Sequence, residues 1–104
     1  MSWLVLVLSG VLEAVWATAL GKSDGLSRPV PTVTFFIALA FSMVGLAFAM
    51  RSLPVGTSYA VWVGIGAVLT VTYAMLTGAE TFSLLKALLL AIIVGCVVGL
   101  KLLP

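Results

Sequence analysis

The chain has 104 residues, of which 63% are hydrophobic and 8% charged, with a formal net charge of +2. A soluble domain must cover itself with polar groups, and this composition lies far outside that range, so the main solvent is lipid. Three carboxylates, one cysteine and no histidine leave no material for a serine-protease triad, a disulfide framework or a zinc site, so neither an enzyme, a resident metal or cofactor, nor a nucleic-acid partner is expected.

In chain order, residues 2–20 are the first expected span, since a helix of about 20 apolar residues crosses a bilayer core. Ala17-Thr18-Ala19 resembles a signal-peptide cleavage site, but Met1-Ser2-Trp3 supplies no basic stretch and Glu13 interrupts the apolar run, so the segment reads as a permanent helix. Gly21 to Pro31 form a connection rich in Gly, Ser, Pro and charge. The second span covers about residues 31–50, and Arg51 to Pro54 make a tight joint, because the residue before a proline avoids the helical region. The third span covers about 55–77, Thr77 to Ser83 close it, and the fourth covers about 84–103. Lys86 and Lys101 flank that last span and can snorkel to the headgroups. The expected architecture is an all-α membrane protein, a four-helix bundle in a single transmembrane domain over 1–104.

Lys and Arg near helix ends set orientation. Here Arg51 and Lys101 fall on one side and Lys22, Arg28 and Lys86 on the other, a split nearly cancelled by the terminal amine. The chain is therefore expected to insert both ways, and opposite copies can pair as an antiparallel dimer, much as inverted repeats build transporters. On the fourth helix Ala87, Ala91, Gly95 and Gly99 recur every four residues as a small-residue stripe. It serves either that dimer or packing within one bundle.

Glu13 falls in the middle of the first span, where an ionised carboxylate costs about 3 kcal/mol or more unless a cation or polar cavity compensates. Such a group can exchange a proton during a working cycle. The alternative is a structural hydrogen bond to another helix. Ser9, Gly10, Trp16 and Ala17 share its helical face, and the small ones leave room for a ligand. On the second helix Ala38, Ser42, Gly45 and Ala49 form a narrow stripe, whose hydroxyl either holds Glu13 or bonds to its own backbone. The third helix carries Tyr59, Trp62, Gly66, Thr70, Tyr73 and Thr77 at spacings of three and four, a stripe expected to line a cavity, although interfacial belts also explain Tyr59 and Tyr73. Gly64 and Gly66 weaken that helix and predict a bend. A carboxylate with aromatic rings and no competing cation suits a cationic ligand. A proton and that ligand would compete for one acid, which yields antiport if the loaded protein changes the side to which it opens.

Gly10-Val-Leu-Glu13-Ala-Val-Trp16-Ala and Ser52-Leu-Pro-Val-Gly-Thr-Ser-Tyr59-Ala-Val-Trp62-Val-Gly-Ile-Gly-Ala67 closely resemble the small multidrug resistance family. The resemblance is gapless over the chain. Trp16, the Leu-Pro-Val-Gly-Thr joint, Gly64-Ile-Gly-Ala67 and the terminal Gly99-Leu-Lys101 resemble its guanidinium-exporter subtype, formerly described as chaperone suppressors. The resemblance implies an antiparallel homodimer of dual topology in the bacterial inner membrane, exchanging a cytoplasmic cation for external protons by alternating access. By resemblance, Glu13 of both copies binds substrate or protons, Ser42 and Trp62 support the carboxylate, and Tyr59 switches between subunits. Gly10 and Trp16 match pocket positions, and Gly64 and Gly66 match the bend.

A guanidinium ion fits the residues, since its planar donors suit a carboxylate and its faces suit aromatic rings. The subtype that exports quaternary ammonium and aromatic cations is the alternative, and a non-transporting pore or assembly subunit is a third reading. Three departures from the family pattern bear on substrate and partner. The basic residue of Leu20-Gly21-Lys22-Ser23 is moved by one, Val63 replaces a threonine, and Gly95 stands one place before the usual glycine, at Cys96. They leave room for a substituted guanidine and for a heterodimer with a related chain.

Overall fold

The computed structural model describes residues 2–103; Met1 and Pro104, the ends of the expected domain, lie outside the described residues. Four helices account for most of them: α1 Ser2–Lys22, α2 Pro29–Ala49, α3 Val55–Leu76 and α4 Leu84–Leu102. All four are long and apolar enough to cross a membrane.

The helix ends depart from the expected ones for local reasons. α1 runs on through Gly21 to Lys22, because one exposed glycine lowers helix propensity without breaking the hydrogen-bond ladder. The reversal comes at Asp24, Gly25 and Leu26, all three with positive φ (50°, 71° and 70°). Ser23 ties this turn down, its hydroxyl donating to the Leu20 carbonyl at 2.7 Å and accepting from the Leu26 amide at 3.0 Å. α2 starts at Pro29, with Arg28 extended before it, since a first-turn proline forfeits only an amide that would have no helical partner. Pro54 occupies the N-cap of α3, and Gly78, at φ 80°, follows its C-cap. The Ser83 hydroxyl caps α4 by accepting from the Lys86 amide.

α1 is the central helix, packed against both α2 and α3, while α4 lies against α3, and near its end the Lys101 ammonium stands 5.8 Å from the Trp3 ring of α1. The extents of 43 × 34 × 17 Å describe a flattened bundle, less than two helix diameters of about 10–12 Å thick. The core holds Leu6, Leu46, Ala49, Val61 and Trp62. No residue of α4 is buried, and its Leu84, Leu85, Leu88 and Ile92 are exposed. In water such a surface would drive aggregation; among lipid tails it is matched to its solvent.

Lipid is as apolar as leucine, so helices associate there by close packing and interhelical hydrogen bonds. The glycines show this. A side chain at Gly10 would strike Ile65 of α3, one at Gly45 would strike Ser9 of α1, and one at Gly64 would strike Val97 of α4. The stripe on α4 behaves otherwise: Ala91 and Gly95 are exposed, Ala87 and Gly99 half-buried, and nothing lies within 4 Å of where a side chain at Gly95 or Gly99 would begin. Within the chain, α4 meets α3 through Ile93 and Val97 instead. Cys96 is exposed beside the stripe.

Candidate functional site

Glu13 stands at the middle of α1, half-buried, with its carboxylate against the backbone of α3 at Gly66. A side chain at position 66 would occupy the space of Oε1, so only glycine permits this approach. Oε1 is buried and receives no hydrogen bond from any described residue. One turn along, the Trp16 indole lies edge-on to Phe35 of α2, with ring centroids 5.8 Å apart, and its Nε1 likewise has no partner. An acceptor and a donor, both unsatisfied, thus occupy the same side of α1.

The family resemblance implies that Ser42 and Trp62 support the carboxylate; in the structure neither bonds to it. Trp62 Nε1 donates to Ser42 Oγ at 3.1 Å, and Ser42 Oγ donates to the backbone carbonyl of Ser9 at 2.8 Å. This chain of bonds ties α3 through α2 to α1. It ends on the carbonyl one turn before Glu13, the group that accepts the Glu13 amide in an α-helix. Ser42 and Trp62 thus act on the helical turn carrying the acid. Spacing makes Ser9 a small neighbour of Glu13 and does not reveal that its carbonyl is the end of the relay, while its own hydroxyl donates back to the Val5 carbonyl at 2.7 Å.

The remaining sequence-derived positions divide. Gly10 is buried against Trp62 and Ile65, a packing contact and not a wall of open space. α3 is continuous through Gly64 and Gly66, and both residues serve close approach, to α4 and to Glu13. The stripe on α3 does not form one lining: Trp62 and Gly66 are buried, whereas Tyr59, Tyr73 and Thr77 are exposed. Tyr59 stacks obliquely on Trp62, with centroids 5.9 Å apart and planes at 33°, so an exposed ring adjoins the buried indole. Thr70 donates to the Gly66 carbonyl at 2.6 Å and Thr77 to Tyr73 at 2.9 Å, both bonds to their own helix. Val63 is exposed.

No described residue brings a cation to Glu13. The salt bridge in the described chain joins Lys86 to Glu80 at 3.6 Å, outside the helix cores. Three of the other four basic side chains lie over aromatic rings near helix ends, Lys22 over Tyr73, Arg51 over Phe48 and Lys101 over Trp3, and the fourth, Arg28, is exposed just before α2. What the arrangement offers is an acid without a countercharge, backed by glycine and with the Trp16 indole one turn along, in the middle of a spanning helix.

The chain is similar to known proteins over nearly its whole length. The family model described as Small Multidrug Resistance protein matches residues 1–93. A protein of Yersinia pseudotuberculosis named guanidinium exporter is 46% identical over 102 residues, covering 98% of each chain. Proteins of the same name from Escherichia coli strain K12 and Proteus vulgaris are 47% and 42% identical, each over 98% of this chain. With its four spanning helices the chain is a multi-pass protein of the bacterial inner membrane. By the extent of these matches, it is a member of the small multidrug resistance family.

Proposed function

We propose that the chain exports guanidinium, or a small substituted guanidinium, in exchange for protons, and works as an antiparallel homodimer of dual topology by alternating access. The observation that carries this reading is the Glu13 carboxylate, whose buried Oε1 has no partner among the described residues. An unpaired anion in the hydrocarbon region needs either a proton or a cation. Guanidinium presents parallel N–H donors matching the two carboxylate oxygens, and its flat faces suit the Tyr59 and Trp62 rings. The relatives' name, guanidinium exporter, supports the same substrate.

The cycle follows from exclusion. With a proton on Glu13 the site is neutral and has no charge to attract the cation. When the cation binds, the proton leaves. If the protein reorients only when one of the two is bound, a proton gradient drives the cation outward. Two copies of opposite orientation make both end states equivalent, and the exposed Ala91 and Gly95 of α4 offer the close-packing surface for that pairing.

The deciding experiment is transport in proteoliposomes with guanidinium and, separately, a tetraalkylammonium ion. Proton-coupled flux of guanidinium is expected. Flux with the bulky cation alone would reassign the chain to the quaternary-ammonium subtype.

A further inference from the structure

Glu13 faces only one side of α1. Val11 and Val15 stand two residues to either side of it, which at 3.6 residues per turn places them about 160° around the helix from the carboxylate. On that far side Val11, Val15, Thr18 and Lys22 follow at helical spacing and, with Pro31 of α2 and Tyr73 of α3, line a groove of about 560 Å³. Lys22 closes α1, and Val11 lies eleven residues deeper. At 1.5 Å per residue that depth is roughly 16 Å. Half of a hydrocarbon core about 30 Å thick is about 15 Å, so the groove traverses one leaflet from headgroup level to the midplane.

Its chemistry is as directional as its depth. The walls are apolar apart from Thr18, Thr34, the Tyr73 hydroxyl and Lys22, and Thr34 already donates its hydroxyl to the Val30 carbonyl at 3.0 Å. At the mouth the Lys22 ammonium stands 5.4 Å from the centre of the Tyr73 ring and makes no salt bridge among the described residues. A lysine there repels cations and attracts an anion. We propose that this groove binds an anionic phospholipid, one acyl chain lying along Val11, Val15 and Thr18 and the headgroup phosphate on Lys22. The lipid and the transported cation then occupy opposite faces of one helix, and the two sites can be tested apart.

The test uses the full chain purified in a neutral detergent, with native mass spectrometry of phosphatidylglycerol and phosphatidylcholine of identical acyl chains. Wild type is expected to retain phosphatidylglycerol preferentially. Lys22→Gln, a surface change, should weaken that retention about fivefold and leave phosphatidylcholine unchanged, the effect of one lysine at an anionic headgroup. Val15→Trp, which fills the groove, should weaken both. Equal retention of the two lipids by wild type, or an undiminished preference in Lys22→Gln, overturns the proposal. So does efficient disulfide dimerisation of Val15→Cys in a Cys96→Ala background, since a second copy would then cover the groove.

Discussion

The Glu13 carboxylate rests against Gly66 so closely that a methyl group on that residue would overlap it. Alanine improves helix propensity over glycine by about 1 kcal/mol, so α3 itself should tolerate Gly66→Ala. The acid must then move. Loss of one charge-assisted hydrogen bond, about 1.5–3 kcal/mol, predicts guanidinium binding weaker by tenfold or more, read by calorimetry in detergent. Gly64→Ala meets Val97 Cγ2 at 2.8 Å on α4 instead, and should leave binding near wild type.

Glu13→Gln keeps shape and removes charge. The variant should insert and melt like wild type, yet lose proton-driven guanidinium flux in proteoliposomes. A chain whose acid is structural would keep its flux or lose its assembly. In wild type, apparent affinity should fall as pH is lowered, because protonation removes the acceptor; in Glu13→Gln this pH dependence should vanish.

The Trp62, Ser42 and Ser9 relay predicts non-additivity. Ser42→Ala strands the buried Trp62 Nε1, whereas Trp62→Phe leaves Ser42 donating to Ser9. Interhelical side-chain hydrogen bonds in membranes are worth about 0.6 kcal/mol on average, so the double variant should be less destabilised than the sum of the singles by about that much. Thermal melts of the four proteins in one detergent measure it. Full additivity would mean that the bond carries no energy.

Among the described residues, none outside the local backbone of α4 lies within 4 Å of where a side chain at Gly95 would begin. Gly95→Leu should therefore leave the helical content of the chain intact while shifting the detergent-solubilised protein from dimer to monomer on a sizing column. Unchanged dimer content would place the pairing surface elsewhere.

Much of the fold was legible because lipid imposes a coarse rule: a run near twenty apolar residues is a helix, and only Gly, Pro and charge punctuate it. Boundaries are less legible where punctuation is ambiguous: Gly21, a break by composition, is helical, and Pro29, inside the expected connection, opens the first turn of α2 two residues ahead of the expected start near Pro31. Glu13 stood out from its cost alone. The partners of the site did not, because which side chains meet depends on how helices cross. Spacing gave Ser42 a hydroxyl near mid-membrane, but only the α1–α2 approach at Gly45 and Ser9 turns it toward a backbone carbonyl. The α3 stripe misled because its even spacing concealed a split, Trp62 inward and Tyr59 outward.

The most direct measurement is proton release on adding guanidinium to the purified protein in weakly buffered detergent, repeated across pH. Protons should appear in step with bound guanidinium, diminish as the starting pH rises, and be absent in Glu13→Gln. Guanidinium binding to wild type with no change in bound protons at any pH would contradict the competition on which the exchange depends.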